Sequence, residues 1–274
     1  MEDRLSNINR QTFDRVAVGV INIALQVFGV VWLIFNFSWL ALVVLIVLSV
    51  TTGAMPAIFA HRAWSHKSWY PNKYLNRFGL FMHTQSLVGS SIAYVAIHRE
   101  HHKHTDEIGD PHSPYLRSRL SIQLFNAFSK VKVNWMKTTV DLLRDPDHIW
   151  FAKYYWHVNI LFYGCLYLIT PIYFPMIIAL KGIGTLKGHT SNSLLHKPPL
   201  WILPIEFSGH GPGNSFVHNV ITIGQGESWH ANHHNDPSNW RLGHKWYETD
   251  IGALWIRLFV YLGWASLPQR RENV

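Results

Sequence analysis

Apolar and polar positions are sharply segregated along this chain. A polar start carrying Arg4, Arg10 and Arg15 gives way to the uncharged run Val16 to Phe35, which as a helix covers roughly 30 Å, the thickness of a bilayer core. Asn36, Phe37 and Ser38 form a short uncharged turn, and Trp39 to Ala60 is a second apolar run containing Pro56. Pro56 predicts a kink just ahead of His61, and Trp32 and Trp39 flank the turn as an interfacial belt does. Tyr154 to Ile169 is a third run. After Pro171 a fourth begins near Tyr173, interrupted by Lys181 and Lys187, which must snorkel or face a protein interior. The pattern predicts four transmembrane helices, over 16–35, 39–60, 154–170 and 173–191.

Basic residues precede the first run and follow the second, with none in the turn between. That asymmetry places the amino terminus and the parts 61–153 and 192–274 on the cytoplasmic side. Phe78 to Ile97 is too mixed for a lipid-facing span and reads as a helix, buried or interfacial, leading to His98. Between Lys103 and Lys153, Arg117, Arg119, Lys130, Lys132, Lys137 and Arg144 interleave with apolar residues, which suits helices on a membrane surface or an ordinary solvated face. Lys245 to Leu267 has apolar residues at helical spacing and predicts an amphipathic helix. No internal repeat is visible, so the expectation is one domain over 1–274: an all-α integral membrane protein whose helical cytosolic cap holds a histidine-rich dimetal site.

Composition narrows the function. With one cysteine, Cys165, in 274 residues, neither a disulfide framework nor a Cys-ligated zinc or iron-sulfur site can be built. A net charge of +8 admits nucleic acid as a partner, but the basic residues flank apolar segments and form no stripe with stacking aromatics. The first apolar run is too long for a secretory signal and lacks a small-residue cleavage site, so it reads as a retained span.

The candidate chemistry lies in the histidines. His98-Arg99-Glu100-His101-His102 is matched by His230-Ala231-Asn232-His233-His234, and His61 and His66 sit at the exit of the second apolar run. On a helix His98 and His102 lie about 40° apart and His101 flanks them, so three imidazoles leave one side. Neutral imidazole suits iron, zinc, copper or nickel. Eight histidines exceed one zinc site, and the zinc-protease spacing H-E-x-x-H is absent. A haem would need facing histidines from separate spans. The clusters argue for a dinuclear centre, with iron the common choice for oxygen activation. Both H-x-x-H-H segments are separated by an even number of predicted crossings, as one shared site requires.

H-R-A-W-S-H at His61 to His66, H-R-E-H-H at His98 to His102 followed by Asp110-Pro111-His112, and G-E-S-W-H-A-N-H-H ending at His234 resemble the three histidine boxes of the membrane-bound fatty acyl desaturases. The branch is that of stearoyl-CoA and bacterial acyl-lipid delta-9 desaturases, and the resemblance runs from about Gly53 to Leu262. It implies nine histidines holding two ferrous ions, with an asparagine acting through water. Asn-Ser-x-x-His occurs twice, at Asn192 to His196 and at Asn214 to His218. The first copy has the family's position at the end of the fourth span, so the expected metal residues are His61, His66, His98, His101, His102, His196, His230, His233 and His234, with Asn192 through water. Gly209, Gly211, Pro212 and Gly213 before the second copy read as loop. His104 and His112, with Asp106 and Asp110, are candidates for orienting the ligands. His83, His148, His157, His189, His210 and His244 are assigned structural or surface roles. Trp64, Trp69 and Trp229 are candidates for an acyl channel or for the core.

The implied activity is oxygen-dependent desaturation that leaves a cis double bond. The substrate is an acyl-CoA, an acyl carrier protein or an acyl-lipid, and electrons come from a separate ferredoxin or small cytochrome that a basic face steers to the site. The implied location is a multi-pass protein of a bacterial inner membrane. A hydroxylase or ketolase of the same histidine-box chemistry is the nearest alternative. A non-enzymatic membrane metal or haem electron-transfer protein is the alternative from another class.

Overall fold

The computed structural model describes residues 2–118, 121–122, 133–197, 206–207 and 212–268, with backbone alone for 2–14, 189, 191–192 and 206–207. Arg119, Lys130, Lys132, Gly209, His210 and Gly211 lie outside the described residues. The described chain is largely helical, in keeping with the all-α expectation, with two ladders of two-residue strands added.

Helix α1 spans Glu2–Asn36. From Arg15 to Asn36 it is, among the described residues, the only single helix long and apolar enough to cross a membrane. The second apolar run is not one helix. Helix α2 (Trp39–Val50) ends at Thr51, where φ is −100° and ψ −91°. The Thr51 and Thr52 hydroxyls donate to the carbonyls of Val47 (2.6 Å) and Leu48 (3.2 Å), so side chains close the helix end. The chain then bends by 40° into Thr52–Ser65, and only together with that segment is α2 long and apolar enough to cross a membrane. The kink expected from Pro56 therefore falls five residues earlier. Pro56 instead heads a π-helix, Ala57–Ser65.

The predicted helix over Phe78 to Ile97 is likewise two. Helix α3 (Lys73–Gln85) is capped by Asn72, and α4 (Ser91–Lys103) by Ser90, whose hydroxyl accepts from the Ala93 amide. Between them Leu87 (φ 58°) and Gly89 (φ 94°) take left-handed conformations that no α-helix continues. After β1 (Tyr70–Pro71), α3 and α4, the described chain forms α5 (Trp135–Thr138), α6 (Pro146–Lys153), α7 (Tyr155–Ile169) and α8 (Phe174–His196). Helix α8 runs unbroken through Lys181 and Lys187. It packs along α1, and at Gly182 a Cβ would stand 1.9 Å from the Leu25 carbonyl oxygen, the close backbone approach that small residues permit between helices.

Strands β2 (Glu206–Phe207) and β3 (Gly213–Asn214) pair antiparallel. They are followed by α9 (Phe216–Ile221), α10 (His230–Asn235), α11 (Ile251–Tyr261) and β4 (Ala265–Ser266), which pairs with β1. The amphipathic helix expected over Lys245 to Leu267 shrinks to α11. Asp250 caps it by accepting from the Ala253 amide, and Gly263 at φ 71° stops it. Phe59, Trp64, Trp69, Leu80, Val95, Ile256 and Phe259 form the buried core between the π-helix, α3, α4 and α11. This core holds the π-helix against α4 and so sets the first two histidine boxes side by side.

Candidate metal centre

The π-helix brings its two histidines together. Five residues apart on an α-helix, His61 and His66 would diverge by about 140°, whereas i to i+5 bonding sets residues five apart on successive turns. Their rings are 5.2 Å apart. Lys67, with φ 54°, turns the chain away directly afterwards. Arg99 on α4 then clamps this turn: it donates to the carbonyls of Trp64 (2.6 Å) and Ser65 (3.0 Å) and, through two nitrogens at 2.8 Å each, to Asp141.

The histidines form two groups. His61, His66, His98, His102 and His233 make one, and His101, His196, His230 and His234 the other; within each, one ring nitrogen per residue lies within 4.8 Å of all the rest. The expectation that His98, His101 and His102 present one face is met only in part, because His101 turns to the second group. The third box mirrors this: His230 and His234 enter the second group and His233 the first. The His102 and His234 rings stack at 4.2 Å and 15° across the boundary.

Carboxylates fix the ring orientations. Glu227 lies 2.5 Å from His61 Nδ1, Asp110 2.8 Å from His101 Nδ1, and Asp106 2.8 Å from His196 Nδ1. Each Nδ1 therefore donates outward and each Nε2 lone pair is left pointing inward. Asp110, fully buried, also accepts from the amides of Asp106 (2.8 Å) and His112 (2.7 Å), and Ser113 donates to Asp106 at 2.7 Å. One short loop thus holds His101 and His196. Asp106 adopts φ 60° to do so, a conformation Asp tolerates. Arg62, buried beneath the first group, donates to Glu227 (2.8 Å), Asp250 (2.9 Å) and the carbonyls of Trp240 and Gln225.

The electrostatics suit a cation. Nε2 atoms face one another at 2.8 Å in His61–His233 and His66–His98, at 2.9 Å in His102–His233 and at 3.0 Å in His196–His230. The Nε2 atoms of His101 and His234 are buried without a hydrogen-bond partner, an arrangement that costs free energy unless a positive ion fills it. Burial and mutual repulsion push His98, His102, His230, His233 and His234 well below the ordinary imidazole value, and burial with His61 pushes His66 down to about 2. The rings are thus neutral, the form that binds metal. Burial raises the Glu227 carboxyl, but His61 and Arg62 outweigh it and hold the group at about 2. An all-nitrogen donor set in two adjoining groups, with orphaned inward lone pairs, fits two metal ions.

His98, His101 and His230 also line a cavity of about 1210 Å³, together with Tyr94, Ile97 and Leu195. Tyr94 stacks on His98 at 5.9 Å. The three tryptophans proposed for a channel do not line it; their indole nitrogens donate to Asn76 Oδ1, the Ile58 carbonyl and the Thr249 carbonyl, which places Trp64, Trp69 and Trp229 in the core. His218, the alternative in the second Asn-Ser-x-x-His, stands apart from both groups with Nδ1 2.6 Å from Ser228 Oγ. That copy is a capping device: Ser215 caps α9, and Asn214 Oδ1 accepts from the Ala231 amide at the start of α10. The Asn192 side chain lies outside the described residues. His104 lies 3.3 Å from Glu100, the His112 ring 5.9 Å from that of His101, and His148 bonds Ser91 at 2.9 Å. Glu227 and Arg62 were not singled out from sequence; the signal available was an acid three residues before His230 and an arginine directly after His61.

The chain is similar to curated proteins. It is 32% identical over 243 residues to the Delta-9 desaturase-like 4 protein of Arabidopsis thaliana, covering 85% of this chain and 77% of that one. To the Delta-9 acyl-lipid desaturase 1 of the same plant it is 30% identical over 255 residues, covering 87% and 79%. To the sn-2 palmitoyl-lipid 9-desaturase of Nostoc sp. it is 30% identical over 241 residues, covering 84% and 82%. No family model matches.

Proposed function

The chain belongs to the membrane-bound fatty acyl desaturase family, and on that premise we propose that it desaturates an acyl chain drawn into the cavity at two iron ions. The observation that carries this is the opening of both histidine groups into one large cavity. We assign His61, His66, His98, His102 and His233 to one ion and His101, His196, His230 and His234 to the other, with Asn192 acting through water. When bound, the irons supply, with O2 and electrons from a separate carrier, an oxidant able to take hydrogen from an unactivated methylene, which acid-base groups cannot do.

The protein's own residues do the rest. Glu227, Asp110 and Asp106 hold three imidazoles in the Nδ1–H tautomer, and the packed core around Phe59 and Val95 backs the first two histidine boxes. The apolar wall of the cavity orients the chain past His98 and His230. The name of the Nostoc relative supports an acyl-lipid substrate, with acyl-CoA and acyl carrier protein as the other carriers. A net charge of +8 supports an acidic ferredoxin or small cytochrome as donor.

Four membrane crossings are part of the proposal: α1 from Arg15, α2 with its bent continuation, α7 and α8, with the histidines at the cytoplasmic face. The two turns that would lie on the far side are uncharged and expose large apolar groups, Phe35 80% and Trp39 76% at one, Ile169 77% and Ile172 86% at the other, which suits contact with lipid. The test is expression in a host that makes no unsaturated fatty acids. A new monoenoic acid is expected only in air, and it is lost in His98→Ala and His233→Ala. Unchanged product in those variants refutes the site, and a hydroxylated product refutes desaturation.

A further inference from the structure

The cavity that starts at the histidines continues along α8 to Lys181. Lys181 lies fifteen residues before His196 on the same helix, about 22 Å along its axis. Among the described residues its ammonium makes no hydrogen bond and no ion pair. Gln85 lines the same cavity, more than nine-tenths buried, and its side-chain nitrogen also has no partner. The polar groups around them are already used: the Tyr163 hydroxyl donates to the Gln85 carbonyl at 2.8 Å, Thr185 donates to the Gly182 carbonyl at 2.9 Å, and the Tyr155 hydroxyl accepts from the Gly89 amide at 3.2 Å. Glu227 is the one acid among the residues lining the cavity, and it is held by His61 and Arg62.

An ionisable side chain inside a membrane-spanning helix pairs with an opposite charge or marks where a ligand sits. Here two donors without a hydrogen-bond partner, one of them a cation, face a cavity whose one acid is already held. We infer that Lys181 and Gln85 bind the carboxylate of a free long-chain fatty acid, whose hydrocarbon tail lies beside Leu45, Leu48, Leu166 and Leu180. A carboxylate offers two oxygens to two donors and neutralises the ammonium. A phosphate would leave oxygens unpaired, and a neutral ester would leave a buried charge uncompensated. The inference rests on reading the cavity as an acyl-chain site but not on the metal, since neither residue belongs to either histidine group.

The experiment is displacement of a bound pyrene-labelled fatty acid from the purified full-length protein in nanodiscs by oleate or by methyl oleate. A charge-assisted contact predicts that oleate displaces the probe about tenfold to a hundredfold more effectively than the ester. Lys181→Met abolishes that difference, Lys181→Arg keeps it, and Gln85→Leu reduces it. Equal displacement by acid and ester in the wild type overturns the carboxylate site while leaving the acyl cavity intact. An undiminished preference in Lys181→Met overturns it also, and failure of both compounds to displace, or of the probe to bind, overturns both readings. Should Lys181→Met not fold, the wild-type comparison and Gln85→Leu still decide.

Discussion

Replacing Glu227 by glutamine tests how the second coordination layer works. The carboxylate accepts from His61 Nδ1 at 2.5 Å through one oxygen and from Arg62 at 2.8 and 3.1 Å through the other. Glutamine keeps one oxygen for Arg62 and turns its NH2 toward His61, so a donor meets a donor. His61 relieves this by moving its proton to Nε2, the nitrogen that faces His233 at 2.8 Å, and a protonated Nε2 cannot bind metal. Arg62 keeps Asp250 at 2.9 Å and two backbone carbonyls, so the fold survives. Loss of such a supporting partner costs about tenfold to a hundredfold in metal affinity, or roughly 1.4–2.7 kcal/mol. The first group alone is affected, so under limiting iron the bound stoichiometry falls from two toward one, read by elemental analysis alongside a melting curve. Asp147→Asn is the control: Asp147 pairs with Arg77 and touches no imidazole in either group, so that variant keeps its iron. Full iron affinity in Glu227→Gln would refute the tautomer argument.

Asp106→Asn and Asp110→Asn should weaken the second group instead, and the pair should lower iron affinity by less than the product of the singles, because both act through one loop; independent effects would contradict this. Gly182→Val should unfold the α1–α8 pair, losing more than the about 1–3 kcal/mol of ordinary overpacking because a Cβ there meets backbone at 1.9 Å, whereas Gly164→Ala, with nothing within 4 Å, should melt near the wild type. His83 is fully buried, and burial followed by repulsion from His148 lowers it to about 3. The unfolded chain binds its proton below about pH 6.5 and the folded chain does not, so stability is intact above that pH and falls by about 1.4 kcal/mol per unit as pH drops toward 3. His83→Phe should reduce the slope of denaturation measured between pH 7 and 5 by this one group's share, the other buried histidines keeping theirs; an unchanged slope would assign the acid sensitivity elsewhere. His196→Ala should lower the iron content and His218→Ala should not, and the opposite pattern would reverse the assignment of the ninth ligand.

Much of this was legible in the sequence, and the limits have physical causes. The histidines could be picked out because three dense clusters at cooperative spacing are hard to read as packing. The break at Thr51 was not, because a hydroxyl bonding back to a carbonyl four residues earlier leaves no mark in hydropathy, whereas Pro56 is a louder signal and pointed five residues too late. The π-helix was hidden because an all-buried segment has no polar side to reveal its period; residues 58–65 are all buried. Glu227 meant nothing until Arg62, 165 positions earlier, folded against it. Trp64, Trp69 and Trp229 adjoin the boxes in sequence, but each indole N–H finds an acceptor in the core, so adjacency along the chain did not become adjacency to the cavity.

The spacing H-x-x-H-H itself accounts for the two groups. On an α-helix its first and last histidines lie about 40° apart, and the remaining one lies about 60° to the other side of the first. Such a fan is too wide for one ion and suits two neighbouring ones. In α4 the pair His98 and His102 serves the first group and His101 the second; in α10 the pair His230 and His234 serves the second and His233 the first. Each helix therefore reaches both groups, and each group is completed by the other helix. The spacing of the two groups is then set by how each helix is anchored, α4 by the Arg99 clamp and the Asp106–Asp110 loop and α10 by the Asn214 cap, and by no single ligand. A slip of α4 by one residue would turn its side chains by about 100° and carry His98 out of the first group, so the buried hydrogen bonds that hold these helices in register hold both groups together.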